Sequence, residues 1–105
     1  MTFNWTASAE DMRAIRRDNE VSLAIRRAES TLSAQLMRIE IAGSRAMMAM
    51  SDAARSAKQA AYILGEPDMN IAVGDRLTHT GILLEVVFIQ PNRLAATIAE
   101  AVVVE

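Results

Sequence analysis

The sequence predicts a mainly β fold, a small antiparallel β-barrel or sandwich with a short N-terminal helix and one long loop excursion. Three observations favour this fold. Apolar and polar residues alternate in segment 20–27, segment 82–89 is almost continuously apolar, and turn residues recur at close spacing in the C-terminal half. A period of two is typical of strands, and short strands separated by frequent turns are typical of small barrels and sandwiches.

Length and composition limit the chain to one small domain. Its 105 residues suit a single domain, taken as 1–105, and 51% of them are hydrophobic, which is enough for a modest core. The lack of cysteine excludes disulfides, thiolate nucleophiles and Cys-ligated zinc. The polar N-terminus does not have the pattern of a secretory signal, and no apolar run approaches the roughly 20 residues of a membrane-spanning helix. We therefore expect no membrane partner.

Segment 7–18 is the predicted N-terminal helix. Ser8 is a suitable N-cap, and Asp11 three residues later resembles a capping box. Because so short a helix is marginal alone, we expect it to dock on another part of the protein. The nearby aromatic residues Phe3 and Trp5 either cover this helix or anchor a neighbouring subunit.

The first two predicted strands follow at 20–27 and 32–41, with a polar turn at 28–31. Val21, Leu23 and Ile25 alternate with more polar residues, as expected of a half-buried strand. In the second strand the apolar residues change parity, which indicates a bulge or a strand that crosses between two sheets.

The long excursion is predicted at 43–61, where alanine and methionine favour helix but form no sharp apolar stripe. We expect this segment to be exposed and partly helical at most. Long excursions in compact domains are usually functional or disordered. Met47, Met48 and Met50 would form a flexible apolar patch suited to an adaptable contact, or would pack in the core.

The C-terminal half is predicted to be an antiparallel meander of short strands. Apolar runs and turn residues place strands at 59–64, 76–78, 82–89 and 94–104, with a short extended piece at 71–73. A hairpin loop is expected at 79–81, where Gly81 can adopt a positive φ. Tight turns are expected at Gly74-Asp75 and at Pro91-Asn92-Arg93.

Residues that could carry catalysis are sparse, and we expect neither an enzyme nor a cofactor. His79 is the only histidine and falls at a predicted hairpin, without the partners that a triad or a metal site needs. Glu85 and Glu100 lie on predicted strands with no pattern that pairs them. An enzyme built from these three residues is the weakest of the functional hypotheses.

The charge distribution argues against a general nucleic-acid binder. The net charge is −2, and segment 66–105 carries two arginines against six acidic residues, a balance of −4. An acidic surface repels phosphate backbones. Arg26 and Arg27, with arginines of the N-terminal helix, could form a basic stripe, but strand aromatics for base stacking are missing.

The C-terminal sequence LGEPDMNIAVGDRLTHTGILLEVVFIQPNRLAATIAEAVVVE resembles the head-completion or head–tail joining proteins of long-tailed phages, the stopper class. Those proteins tend to carry "I..GDR", a brief hairpin, "Y.V..V.P" and a final strand. The matching pieces here are Ile71, Gly74-Asp75-Arg76, Gly81, Glu85-Val86, Gln90-Pro91-Asn92-Arg93 and Ala99-Glu100-Ala101. SLAIRR and LSAQLMRIEI are similar to the first two strands of that family.

The resemblance implies a structural subunit of the phage neck that forms a homo-oligomeric ring around the DNA channel and joins the filled head to the tail. It implies an adaptor or portal-side ring as one partner and a tail-side (tail terminator) ring as the other. DNA would pass through without sequence-specific binding. The expected location is the virion neck, after assembly in the host cytoplasm. The alternative is a small β-barrel module for nucleic acid or peptide, outside any virion.

In either case the function is expected to lie in surfaces. The candidate assembly residues are Phe3, Trp5, Met47, Met48, Met50, Gly74, Asp75, Pro91, Asn92 and Arg93.

Overall fold

A computed structural model describes residues 20–104, which contain eight strands and two short helices. The predicted helix 7–18 and the residues Phe3 and Trp5 lie outside the described residues. The strands are β1 (Val21–Leu23), β2 (Arg26–Arg27), β3 (Ser30–Thr31), β4 (Gln35–Ile41), β5 (Ala60–Gly65), β6 (Arg76–His79), β7 (Ile82–Ile89) and β8 (Thr97–Val103). The helices are α1 (Ser44–Met47) and α2 (Asp52–Arg55), both between β4 and β5.

The eight strands form one curled antiparallel sheet in the order β1-β4-β5-β8-β7-β6-β2-β3, which makes a half-barrel. The mainly β prediction is therefore confirmed. β6, β7 and β8 are consecutive neighbours, as expected of a meander, and the observed bounds of β7 coincide with the predicted strand 82–89. β8 lies near the middle of the sheet and has a fully buried run from Thr97 to Ala101.

The concave face of the sheet forms the main core. Every second side chain of β4, β5, β7 and β8 points into this core, because successive side chains of a strand face opposite sides of the sheet. Its largest fully buried members are Ile25, Met37, Ile63, Leu84 and Val86. Two smaller apolar clusters lie on the other face, one around Leu64 and Ile98 and one between the α1–α2 segment and the sheet.

The prediction of one strand over 20–27 is wrong, because the chain leaves β1 at Ala24 and joins a different part of the sheet at Arg26. β1 pairs with β4 at one end of the strand order, whereas β2 pairs with β6 and β3 near the other end. Ile25, which lies between β1 and β2, is 0% exposed. Its burial continues the alternation of Val21 and Leu23, so the pattern does not reveal the crossing, which is part of the core.

Two other boundaries differ from the sequence-based expectation. The second strand begins at Gln35 and not at residue 32, so the change of parity lies in the irregular residues before β4. A shift of register between strands lies instead on β7, between Val86 and Phe88, where β7 pairs with β8. This irregularity turns Phe88 to the position opposite Glu100.

Candidate assembly surfaces

An ion pair between Asp75 and Arg27 fixes the Gly74-Asp75 turn. Gly74 is exposed and has a φ of +95°, a conformation that L side chains rarely adopt. Asp75 is 1% exposed, and its two carboxylate oxygens accept hydrogen bonds from Nε and Nη2 of Arg27, each at 2.9 Å. Oδ2 also accepts from the backbone N–H of Ala72 at 2.7 Å.

This geometry assigns the side chain of Asp75 to the support of the turn, and its role in assembly stays a prediction. The hydrogen bonds with Asp75 raise the pKa of Arg27 above its ordinary value. Burial opposes this increase, and the negative charge of Asp75 adds to it. The exposed residues of the turn are Gly74 and its neighbour Val73, whose exposed fraction is 64%.

The Pro91-Asn92-Arg93 turn is anchored in the same manner. Arg93 donates from Nε to Oγ1 of Thr97 at 2.9 Å and from Nη2 to the carbonyl oxygen of Met69. The Asn92 side chain accepts from the backbone N–H of Leu94 at 3.2 Å. Pro91 and Asn92 are exposed, Arg93 is half-buried, and Leu94 is 88% exposed. The turn thus exposes the large apolar side chain of Leu94, and hydrogen bonds of Arg93 and Asn92 hold the turn in place.

The predicted excursion is largely exposed and partly helical, as the sequence indicated, apart from a few residues that pack on the sheet. It contains α1 and α2, and its last two residues already belong to β5. Met48 is 76% exposed and Met47 is half-buried, but Met50 is only 4% exposed. Met50 packs with Ala54 and with residues of the sheet. The expectation that Met50 contributes to an exposed patch is therefore wrong, since contacts with the sheet cover it.

A buried carboxylate, Glu100 on β8, fastens this excursion to the sheet. Glu100 is 1% exposed. Its Oε1 accepts from the backbone N–H of Ser51 at 2.8 Å, and its Oε2 accepts from Nε2 of Gln90 at 3.1 Å. Ser51 is also the N-cap of α2, where its side chain accepts from the backbone N–H of Ala54 at 3.4 Å. The start of α2 is therefore held by both its own cap and Glu100.

Tyr62 on β5 is the direct pairing partner of Glu100 on β8 and of Glu40 on β4, the two neighbouring strands. Burial raises the pKa of Tyr62 above its ordinary value, and the negative charges of Glu100 and Glu40 raise it further. The three side chains form a row on the convex face. Sequence reasoning missed the row, because the pairing of three strands is needed to align residues that lie so far apart in the chain.

The three residues of the weakest functional hypothesis have separate surroundings. Glu85 accepts from Arg76 at 2.8 Å, while Glu100 binds Ser51 and Gln90. His79 is the last residue of β6, beside the hairpin turn. Within residues 20–104, no group of three or more His, Cys, Asp or Glu side chains is arranged to hold a metal ion. None of the helices in that range is long and apolar enough to cross a membrane.

Each predicted assembly segment is held by polar side chains and has an exposed apolar side chain within it or next to it. Asp75 with Arg27 supports the turn next to Val73, and Arg93 with Thr97 supports the turn next to Leu94. Glu100 holds the excursion that presents Met48. The three segments were predicted from the sequence. Only the fold shows that Val73 and Leu94 are exposed.

No family model matches the chain, and neither a curated protein nor a solved structure is significantly similar to it.

Proposed function

We propose that this protein is a structural subunit of the neck of a tailed phage, of the stopper or head-completion type. In this role it forms a ring around the DNA channel and joins the filled head to the tail. Its partners are copies of itself, an adaptor or portal-side ring and a tail-side ring. The observation that carries the proposal is the presence of three fixed segments that present Met48, Val73 and Leu94 to solvent.

Rigid support is what distinguishes these residues from ordinary exposed side chains. Single apolar residues are common on protein surfaces and need no explanation. A segment that is already fixed loses little conformational entropy when it docks, so more of its contact energy contributes to binding. The bidentate Arg27–Asp75 pair and the two hydrogen bonds of Arg93 supply such fixation on either turn.

The acidic C-terminal part of the chain is compatible with a channel wall. Segment 66–105 has a balance of −4 in the sequence. Asp75 and Glu100 are buried, and the acidic side chains left on the surface, such as Asp68, repel the phosphate backbone. DNA can then pass without sequence-specific contacts.

The alternative function, a binding module outside any virion, has one specific observation in its favour. A groove of about 680 Å³ lies between β1 and β6 and contains Arg26 and Arg76. A groove of this volume is within the usual range for ligand sites. Binding of a partner there is compatible with both functions.

Deletion of the gene in the phage that encodes this protein tests the neck role. We expect filled or leaking heads beside free, finished tails, because the joint between them would be incomplete. Normal virions from the deletion mutant would contradict the proposal. A plasmid copy of the wild-type gene should restore virions and shows that the defect comes from this gene alone.

The same complementation assay tests the two turns. A Val73→Ser, Leu94→Ser double variant should fold with an unchanged circular dichroism spectrum and fail to restore virions. Leu36→Ser is the matched control, since Leu36 is 56% exposed on β4 and lies outside the predicted segments. Full restoration by the double variant would exclude these turns as docking surfaces while the deletion phenotype still decides the neck role.

A further inference from the structure

The point where the chain crosses between β1 and β2 leaves a seam in the half-barrel. Arg26 pairs with Arg76 of β6, but the residues that precede Arg26 turn away from β6 toward β1. β1 pairs with β4 and lies beside β6 without a strand pairing between them in the described part of the chain. The groove of about 680 Å³ occupies this divergence.

The seam groove combines an apolar base with positive charge. Leu23 and Leu83 are half-buried and contribute apolar surface, whereas Leu77 is 3% exposed and packs in the core. Arg26 and Arg76 stand directly opposite each other on paired strands. Like charges at directly opposed positions destabilise a sheet, so a negative group that binds between them would remove an unfavourable interaction.

Only one of these two arginines has a carboxylate partner within residues 20–104. Arg76 donates from Nε to Oε1 of Glu85 at 2.8 Å, and its Nη2 lies 2.8 Å from the same oxygen in an ion pair. Arg26 makes one long hydrogen bond from Nε to the carbonyl oxygen of Ala28, at 3.4 Å. The guanidinium of Arg26 therefore keeps most of its donors available for a carboxylate that enters the groove.

The backbone of Thr78 offers an unpaired strand position in the same groove. The β6–β7 hairpin has a two-residue turn in which Thr80 and Gly81 have φ of 50° and 82°, as a type I′ turn requires. His79 and Ile82 are then the hydrogen-bonded pair that closes the hairpin. Because hydrogen bonding alternates along an antiparallel pair, the N–H and C=O of Thr78 point away from β7.

The partner of Thr78 across the hairpin shows the same alternation. Leu83, opposite Thr78, accepts on its other side from the backbone N–H of Val104 at 2.9 Å. On the side of Thr78 that faces the seam, no strand of residues 20–104 pairs with it. An open strand edge is a ready place for an extended peptide to add.

We propose that the seam groove binds a short extended segment of a partner protein, in which an acidic side chain is next to an apolar one. The segment pairs with the backbone of Thr78, its carboxylate binds Arg26, and the adjacent apolar side chain, which faces the other side of the strand, packs on Leu23. The groove has no aromatic residue among its lining and one available positive charge, whereas single-stranded nucleic acid needs stacking rings and several cations. This site goes beyond the proposed neck role and exists whether or not the partner belongs to a virion.

Titration of the full chain with a capped peptide, acetyl-Thr-Val-Glu-Val-Thr-amide, tests the site by ¹H–¹⁵N correlation spectra. We expect shifts concentrated at Thr78, Leu77 and Arg26 that saturate at millimolar peptide and weaken as salt is raised. The same peptide with glutamine in place of glutamate should bind about tenfold more weakly, because a charge-assisted hydrogen bond is lost. Equal binding of the two peptides, or shifts away from the seam, would overturn the proposal.

Two variants locate the interaction. Arg26→Gln should reduce affinity for the glutamate peptide about tenfold, while Arg45→Gln, which removes the same charge from exposed α1 outside the groove, should leave it unchanged. Thr78→Pro removes the outward N–H and should abolish binding. If that variant does not fold, slower hydrogen exchange of the Thr78 amide with peptide in the wild-type protein supports the strand pairing, and unchanged exchange contradicts it. Binding of a thymidine oligonucleotide at the seam in place of the peptide would also contradict it.

Discussion

Arg27 and Asp75 meet in a bidentate pair, with Nε on Oδ1 and Nη2 on Oδ2 at 2.9 Å each, although 48 positions of sequence separate them. The carboxylate side of the pair is 2% exposed and the guanidinium side is 39% exposed. Removal of Asp75 and removal of Arg27 therefore have different consequences for the side chain that is left. An arginine left alone can regain water, but a carboxylate left alone stays buried.

We predict that Asp75→Ala and Arg27→Gln both destabilise the protein and that the double variant loses less than the sum of the two. Loss of Asp75 leaves the N–H of Ala72 without its acceptor, which costs about 1–3 kcal/mol on its own. Urea unfolding of the four proteins gives the coupling. The exposed pair Arg76–Glu85 is the control, with an expected coupling of about 0–1 kcal/mol. Strict additivity for Arg27 and Asp75 would contradict the assignment of this pair as the support of the turn.

The raised pKa of Tyr62 predicts a loss of stability in strongly alkaline solution. The unfolded chain ionises this phenol near its ordinary pKa, while burial and the charges of Glu100 and Glu40 keep it protonated in the fold. The contribution of Tyr62 to stability is fully present below the unfolded pKa and is lost as the pH rises through the folded pKa. Absorbance of the phenolate near about 295 nm follows its ionisation, since Tyr62 is the only tyrosine.

Glu100→Gln should lower the pKa of Tyr62 without returning it to its ordinary value. The substitution removes one negative charge but leaves the burial that is the larger cause of the shift. Glu85→Gln is the matched control, because Glu85 is not among the charges that act on Tyr62. An unchanged titration curve in Glu100→Gln would show that the charge of Glu100 does not contribute to the raised pKa of Tyr62.

The strands of the C-terminal half were predictable because their signals are local. The run 82–89 and the turn residues on either side of it specify β7 without knowledge of its neighbours, and the observed strand has the same bounds. The hairpin turn at Thr80-Gly81 was visible from Gly81 in the same manner. Local alternation does not show which strand a segment pairs with, as at Ile25, which continues the alternation of Val21 and Leu23 while the chain crosses from β1 to β2.

The supports of the candidate surfaces were not predictable, because each includes a contact between residues far apart in sequence. Ser51 and Glu100 are 49 positions apart, and only the alignment of β5 with β8 brings the excursion over Glu100. Nothing local distinguishes Glu100 from a surface glutamate on a half-buried strand. Met50 illustrates the same limit, since its burial depends on the sheet that the excursion covers.

Loss of the Glu100 side chain should loosen the excursion before it unfolds the sheet. Glu100→Ala leaves the N–H of Ser51 without an acceptor, at a cost of about 1–3 kcal/mol, and removes the contact with Gln90. We expect hydrogen exchange to accelerate most between residues 42 and 59, with β7 and β8 less affected. Glu100→Gln retains an oxygen for Ser51 and should change exchange in this segment much less.

Uniformly faster exchange in Glu100→Ala would contradict this expectation, because it would show that Glu100 supports the whole sheet and not the excursion in particular. Ser51→Ala offers an independent comparison. It removes the N-cap hydrogen bond to Ala54 but retains the backbone N–H that Glu100 binds, so we expect faster exchange at the start of α2 only.

The β6–β7 hairpin has a turn residue that is not well suited to its conformation, so substitution there should stabilise the protein. Thr80 has a φ of 50°, which is unfavourable for a β-branched residue, and it occupies the first central position of a type I′ turn. Asparagine followed by glycine is the preferred pair in such turns. Thr80→Asn should raise the free energy of unfolding by about 0.5–1 kcal/mol, as measured by urea denaturation. Thr78→Asn, on the adjacent strand, should have no such effect, since strands disfavour asparagine. A destabilised Thr80→Asn variant would mean that the hydrogen bond from Oγ1 of Thr80 to the carbonyl oxygen of His79, at 2.7 Å, outweighs the backbone strain.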